Sequence, residues 1–485
     1  MNNNDKTVVT RFAPSPTGFM HIGGVRTAIF SFLYARKMGG KFILRIEDTD
    51  KVREVEGSIE HIKNSLQWLG IDWDYGPDKA GPFGSCIQSE RLEIYKKYAL
   101  KLIEKGLAYP DPYSREVVDG FRKEAEDNKK PFLYRDYRPE TFETWDGTKP
   151  LRLKVPEIKR YKWQDAVRGE LEAGEEMLDD IVLIKADGYP TYNFAHIVDD
   201  FEMGVTHIMR ADEFIASQPK FLAIYDALEI PYPVFVSLPP ILRDDRTKKL
   251  GKRDGAKDIL EYKSEGFLPE AMFNFLTLIG WNPGTEQEIF SKDELVASFD
   301  ISRIQKSGGA FNEEKLRWMN KQYLEKLTTE EYLNQILDFV PEKLQTAPLW
   351  SMERFRRLLP VIRERIEVFQ DFVTTTAEGE YDFAFSQPVF NIELLRWKND
   401  DSIQAVKPRL EKLVQLLTSA DFSSVDEIKN AIWDYAEKIG KGEVLWPMRV
   451  ALTGKEKSPD PFTVAYILGT EDTISRLKDA CDKIS

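Results

Sequence analysis

The chain has 485 residues, 42% hydrophobic, 31% charged and 12% aromatic. That is an ordinary balance for a soluble globular protein with several cores, and about one domain per 100–200 residues gives three to five of them. A formal net charge of -13 argues against a body built as a broad basic surface for nucleic acid, and leaves only a local basic patch for that role. Cys86 and Cys481 stand far apart, with no cysteine metal cluster between them. No run of 18 apolar residues exists to cross a membrane, and MNNNDKTVVTRFAPSPTG has neither a signal core nor an Arg-rich transit pattern. A cytoplasmic protein with no membrane partner is expected.

Thr7 to Phe12 (TVVTRF) reads as a strand, and Ala13 to Gly24 as a Pro/Gly/Ser/Thr loop. From Val25 the apolar residues Val25, Ala28, Ile29, Phe32 and Leu33 recur at helical spacing, until Gly39-Gly40 ends the helix. Lys41 to Ile46 (KFILRI) is a second strand, which makes a βαβ unit of a parallel sheet. Ser58 to Leu69 and Glu90 to Glu104 read as helices. From about 106 to 190 the pattern is less regular, with strands at Leu151 to Val155 and Ile181 to Lys185, and predicts an inserted α+β domain. Gly204 to Arg210 and Val234 to Ser237 read as returning strands of the split sheet. Helical patterns dominate from about 268 onward, including Met352 to Phe369.

Three segments carry candidate chemistry. Arg11-Phe12-Ala13-Pro14-Ser15-Pro16-Thr17-Gly18, followed by His21-Ile22-Gly23-Gly24, lies between a strand and a helix, where open α/β sheets bind ligands. Gly23 and Gly24 let phosphate approach the backbone at the helix start, and Thr17 and His21 can donate to phosphate oxygens. Neither a dinucleotide fingerprint nor a Walker loop has this spacing; a Gly/Pro turn with an incidental histidine does. Arg45-Ile46-Glu47-Asp48-Thr49-Asp50 ends a strand with charge that suits a substrate, or a charged edge loop. Lys248-Lys249-Leu250-Gly251-Lys252-Arg253-Asp254-Gly255 offers cations to developing phosphoryl charge, or a solvated charge run.

Together these segments resemble the class I aminoacyl-tRNA synthetases. His21-Ile22-Gly23-Gly24 resembles the family's HIGH-type signature, and Lys249-Leu250-Gly251-Lys252-Arg253 its KMSKS-type signature. RFAPSPTG, LRIEDTD, TYNFAHIVDD (Thr191 to Asp200) and GVTHIMRADEF (Gly204 to Phe214) resemble the glutamyl-tRNA synthetases of bacterial type. The likeness continues through LRWMNKQYL (Leu316 to Leu324) and WPMRVALTG (Trp446 to Gly454). It implies an α/β Rossmann-type catalytic domain split by an α+β insertion and followed by an all-helical anticodon-binding region. The implied segments are 1–105 and 191–240 for the catalytic fold, 106–190 for an acceptor-end insertion, 241–325 for a stem-contact region carrying the KMSKS-type loop, and 326–485 for the anticodon region.

The resemblance further implies ligation of L-glutamate to tRNA(Glu) through a glutamyl-adenylate, with ATP and Mg2+, by a monomer. In-line attack of the α-carboxylate on the α-phosphorus would expel pyrophosphate, and the terminal ribose 2'-hydroxyl would then displace AMP. Activation would wait for bound tRNA. Arg11, Ala13, Ser15, Glu47, Tyr192 and Arg210 match the substrate-binding positions, with Arg11 gripping a carboxylate in bidentate fashion and Glu47 receiving the ammonium. His21, Lys249 and Lys252 match the catalytic positions; Thr17, Gly18, Gly23, Gly24 and Leu250 complete the ATP site. Arg365, among Arg354, Arg356, Arg357, Arg363 and Arg365 on one predicted helix, matches a tRNA contact.

Three departures stand out. Gly251 replaces the loop's usual serine. His196 and Phe214 stand where relatives often have Asn or Val and Trp, and both His196 and His207 read as neutral core histidines. Asp111-Pro112-Tyr113 lacks the thiols with which some relatives hold zinc, so no metal site is expected. The alternatives to a strict tRNA(Glu) ligase are an enzyme that also charges tRNA(Gln), the glutaminyl counterpart, an RNA binder without catalysis, and a tRNA-modifying paralogue. The last two conflict with the retained lysines and with the chain's length.

Overall fold

The computed structural model describes residues 7–251, 257–398 and 400–484. Val9–Phe12 (β1) is buried over its last three residues, as expected of a parallel strand covered on both faces. Ile22–Lys37 (α1) packs Val25, Ala28, Ile29, Phe32 and Leu33 inward, the set read from the spacing. Lys41–Leu44 (β2) lies parallel to β1, with Val9 opposite Lys41 and Phe12 opposite Leu44. Between α1 and β2, a Cβ on Gly40 would sit 2.1 Å from the Val8 carbonyl oxygen. Only glycine lets the chain pass β1 so closely.

Ser58–Trp68 (α2) and Leu92–Glu104 (α3) follow. The insertion then supplies Ala108–Pro110 (β3), Arg115–Asp127 (α4) and Leu151–Leu153 (β4). It continues through Tyr161–Asp165 (β5), Gly169–Ala173 (β6) and Val182–Ile184 (β7). The chain returns through Tyr192–Glu202 (α5), His207–Ala211 (β8), Gln218–Leu228 (α6) and Val234–Leu238 (β9).

Two sheets result from these strands. β3, β4 and β7 form a small antiparallel sheet, while the main sheet runs β2-β1-β8-β9-β5-β6. The β5–β6 hairpin of the insertion therefore extends the main sheet, with Asp165 of β5 opposite Phe235 of β9.

The Asp111 segment is tied together by organic partners. Arg152 Nε donates to Asp111 Oδ2 at 2.6 Å, Tyr134 Oη donates to Asp111 Oδ1, and the Arg152 guanidinium lies 3.3 Å from the Tyr134 ring centroid. Nearby, Arg138 holds Asp180 through two contacts of 2.6 Å, and Tyr109 Oη donates to the same carboxylate at 2.7 Å.

The chain divides into two units, Met1–Ser264 with Pro269–Leu316, and Glu265–Leu268 with Arg317–Ser485. Among its described residues the second unit contains helices and turns and no strand. The helix expected from Met352 to Phe369 stops at Arg365, and a new one runs from Phe369 to Ala377. The cause is Asp371, whose carboxylate takes the Glu367 and Val368 amides at 2.9 and 3.1 Å and so caps a fresh helix start. No helix among the described residues is long and apolar enough to cross a membrane.

Candidate active site

The carboxyl ends of β1, β2 and β8 open on a cavity of about 440 Å³. It is lined by Arg11, Ala13, Ser15, His21, Gly23, Gly24, Glu47, Tyr192, Arg210, Lys249 and Leu250. Residues scattered over 240 positions of sequence thus meet in one place, because a parallel sheet gathers its βα loops at one edge. Thr17 and Gly18 instead line a smaller neighbouring cavity of about 210 Å³, which shares Phe12, Ser15, His21 and Gly24 with the first. Lys252 lies outside the described residues.

The floor is a buried charge network. Asp200 on α5 accepts from Arg11 Nε at 3.1 Å, Arg11 Nη2 at 3.4 Å and Arg45 Nη1 at 2.7 Å. Arg45 also donates to Glu47 at 2.8 Å, and Arg91 Nε to Asp199 at 2.7 Å. Burial opposes every one of these charges. Arg11 and Arg45 nevertheless hold the Asp200 carboxyl well below the usual carboxylate range. Glu47 is pushed upward by burial, which Arg45 only partly offsets. The Tyr192 hydroxyl is raised to about 12, first by burial and then by Glu47. The Nε–Nη2 edge of Arg11 is taken by Asp200. Its Nη1 donates to the Met209 carbonyl at 3.3 Å.

His196 stacks on Tyr192 at 4.7 Å and donates through Nδ1 to the Tyr192 carbonyl at 2.7 Å. Burial, then Arg210, depresses its pKa to about 3. It is a neutral wall behind Tyr192, and His207, lowered to about 4 by burial, is neutral as well.

On the opposite wall His21 is the N-cap of α1. Its Nδ1 accepts the Gly23 amide at 3.1 Å. In the neutral ring that bond puts the proton on Nε2. Lys249 sits in a hairpin closed by Leu250 N to Ile241 O at 2.8 Å and Arg243 N to Lys248 O at 2.9 Å. Its ammonium pairs with Glu213. Among the described residues, no group of three His, Cys, Asp or Glu side chains is arranged to hold a metal ion.

In the second unit Arg365 pairs with Glu380 and is a third exposed. Its helix does not carry a free basic stripe. Arg354 donates to Ala384 O and Leu468 O, Arg357 to Tyr466 O, and Arg363 to Leu324 O and Leu327 O.

Sequence reasoning passed over Asp200, Arg26, Glu213 and Gln218. Asp199 and Asp200 follow Phe194, Ala195, Ile197 and Val198, all buried, on α5. Adjacent acids on an apolar helix signal buried arginine partners. Arg26, 3% exposed, donates to the Pro239 and Ile279 carbonyls and ties α1 to the cavity wall.

Comparison with known proteins accords with this geometry. The profile of the catalytic domain of class I tRNA synthetases (E and Q) matches residues 7–318, and that of an anticodon-binding domain matches residues 314–481. A glutamate–tRNA ligase of Anaeromyxobacter sp. (strain Fw109-5) is 39% identical over 97% of this chain and 98% of its own length. One from Clostridium acetobutylicum is 37% identical over 98% of each. The crystal structure of a glutamate tRNA ligase from Elizabethkingia meningosepticum, in complex with its amino acid, superposes with a TM-score of 0.86 at 32% identity, covering 99% of this chain and 100% of that one. The chain belongs to the class I aminoacyl-tRNA synthetases, in the glutamate–tRNA ligase family of bacterial type.

Proposed function

We propose that the protein joins L-glutamate to tRNA(Glu) in two transfers, using ATP with Mg2+. The observation that carries this reading is the cavity itself. One wall presents His21 and Lys249, and the floor presents Arg11, Glu47, Tyr192 and Arg210. Arg210 and the outer nitrogens of Arg11 bind carboxylate, and Glu47 receives the ammonium. His21 Nε2 and Lys249, with Lys252 from the same basic segment, meet the charge that grows on the ATP phosphates. Thr17, Gly18, Gly23, Gly24 and Leu250 complete the ATP surface, with Ala13 and Ser15 beside the amino acid.

No side chain acts as a nucleophile. The α-carboxylate attacks the α-phosphorus and pyrophosphate leaves, then the terminal 2'-hydroxyl attacks the mixed anhydride and AMP leaves. Orientation and charge stabilisation supply the rate. The segments 1–105 and 191–240 form the catalytic fold, 106–190 takes the acceptor end, 241–325 the stem, and 326–485, through Arg365, the anticodon. The enzyme works as a cytoplasmic monomer.

Charging of purified tRNA(Glu) and tRNA(Gln) with labelled glutamate, each alone, tests the reading. Charging of tRNA(Glu) only is expected. Charging of both would make the enzyme non-discriminating, and charging of neither would reject the function. Pyrophosphate exchange into ATP, near background without tRNA and restored with it, is expected from the same preparation.

A further inference from the structure

Arg210 is the odd member of the buried network. Arg11, Arg45 and Arg91 each touch a carboxylate, whereas among the described residues Arg210 touches none. Its Nη2 donates to the amide oxygen of Gln218, and its Nη1 has no partner. Four guanidiniums face the three carboxylates Glu47, Asp199 and Asp200, and the surplus charge falls on Arg210. The guanidinium lies 4.6 Å from the Phe221 ring centroid and 5.4 Å from that of Phe214, in apolar surroundings that keep water away. Burial accordingly lowers its pKa.

Gln218, the first residue of α6, is 3% exposed. Arginine can only donate, so the amide must turn its oxygen to Arg210 and its Nε2 away. That Nε2 has no acceptor, and neither does the hydroxyl of Tyr225, two turns further along α6 and 2% exposed. Arg210 Nη1, Gln218 Nε2 and Tyr225 Oη are three buried donors without acceptors. Unmet buried donors are costly; of the three residues Arg210 alone lines the cavity, and an anion rich in lone pairs is the ligand that satisfies its Nη1.

We propose that Gln218 sets the charge selectivity of the amino-acid site: a neutral partner holds the Arg210 guanidinium without cancelling its charge, so the cavity takes a side-chain carboxylate and rejects the carboxamide. Gln218 is a positioning residue and acts through Arg210. A carboxylate at 218 would hold Arg210 equally well and neutralise it, and so would repel glutamate while leaving glutamine unaffected. The proposal rests on the amino-acid role given to Arg210 above.

The test is calorimetric titration of the full-length protein with L-glutamate and with L-glutamine, followed by charging kinetics. The Gln218→Glu variant is expected to weaken glutamate binding by at least ~10-fold and glutamine binding by less than ~3-fold, with kcat within ~3-fold of wild type. Gln218→Met frees Arg210 but keeps its charge. It is expected to raise the glutamate KM several-fold while the preference for glutamate over glutamine stays within ~3-fold of wild type. Equal losses for both amino acids in Gln218→Glu would overturn the proposal, as would an unchanged glutamate KM in Gln218→Met. Should Gln218→Glu not fold, the glutamate KM of the Met variant still decides. Because binding is read without ATP or tRNA, a wild-type protein that prefers glutamate yet charges no tRNA would reject the ligase reading and leave Gln218's role standing.

Discussion

The ammonium of Lys249 rests on the carboxylate of Glu213 at the mouth of the cavity, and both side chains are 57% exposed. A pair so open to water is worth about 0–1 kcal/mol. It competes for the lysine with any phosphate that enters. Glu213→Gln is therefore expected to lower the KM for ATP by up to about five-fold, with an unchanged melting temperature. ATP kinetics at saturating glutamate and tRNA decide it. A raised KM would mean that Glu213 helps ATP instead of competing with it.

Asp200 of α5 serves two buried guanidiniums, at 3.1 Å for Arg11 and 2.7 Å for Arg45. Removing its charge strands both. Asp200→Asn is expected to cost about 3–5 kcal/mol of stability, the usual penalty for breaking a buried pair. Urea unfolding measures it, and a loss below about 1 kcal/mol would mean that the arginines find other partners.

The β1–α1–β2 unit was legible because its evidence is local. Val25, Ala28, Ile29, Phe32 and Leu33 announce a helix wherever the chain goes. The place of the β5–β6 hairpin was not. Tyr161, Trp163 and Asp165 are buried in alternation, but a two-residue period names a strand and not the neighbour it pairs with. That choice is made by Phe235, 70 residues away. The site divides in the same way. Arg11, Glu47 and Tyr192 lie in recognisable segments, while the use of Arg11's bidentate edge depends on Asp200, which only the fold brings near. Gln218 carries no signal at all, since an amide beside a proline is commonplace until Arg210 points at it.

Two of the four histidines in the sequence make stability depend on pH. Burial, then Arg210, holds His196 at about 3, and burial holds His207 at about 4, both below the ordinary 6.5. On acidification the unfolded chain takes up these protons first. Stability is thus complete above about 6.5 and falls as pH drops from there towards 4, by up to about 1.4 kcal/mol per pH unit for each histidine. Urea unfolding between about pH 6.5 and 5 isolates this effect from most carboxylates. His196→Asn should flatten part of the slope, and a wild-type profile already flat in that window would contradict the assignment.

Asp111, Arg152 and Tyr134 form a compact cluster in the insertion. Arg152 and Asp111 meet at 2.6 Å with side chains 12% and 4% exposed, and each lost partner leaves a buried charge. A zinc-selective chelator, with Mg2+ in excess, is expected to change neither the melting temperature nor charging. Asp111→Asn is expected to destabilise by about 3 kcal/mol. Loss of activity on chelation, restored by zinc, would refute the first expectation.

Gly23 and Gly24 look equivalent in the sequence, and the structure separates them. A Cβ on Gly23 would sit 3.0 Å from His21 Cε1 and 3.1 Å from Nδ1, while one on Gly24 would meet only Phe12 Cζ at 3.8 Å. The imidazole is the side chain whose Nδ1 caps α1 through the Gly23 amide. Gly23→Ala therefore makes the ring give by a few tenths of an ångström and loosens its hold on the cap. Alanine also favours the helix by about 0.5–1 kcal/mol over glycine, which offsets the loosened cap. The expected result is a melting temperature near that of wild type and an adenylation rate reduced several-fold, because a shifted ring meets the developing charge less well. Gly24→Ala leaves His21 in place and adds a methyl where phosphate would approach the backbone. It should raise the KM for ATP and spare kcat at saturating ATP. Single-turnover adenylation with bound tRNA, measured across ATP concentrations, reads both variants. Equal effects of the two substitutions on kcat and KM would show that His21 gains nothing from its cap, and a Gly23→Ala enzyme with a normal rate would remove His21's orientation from the mechanism.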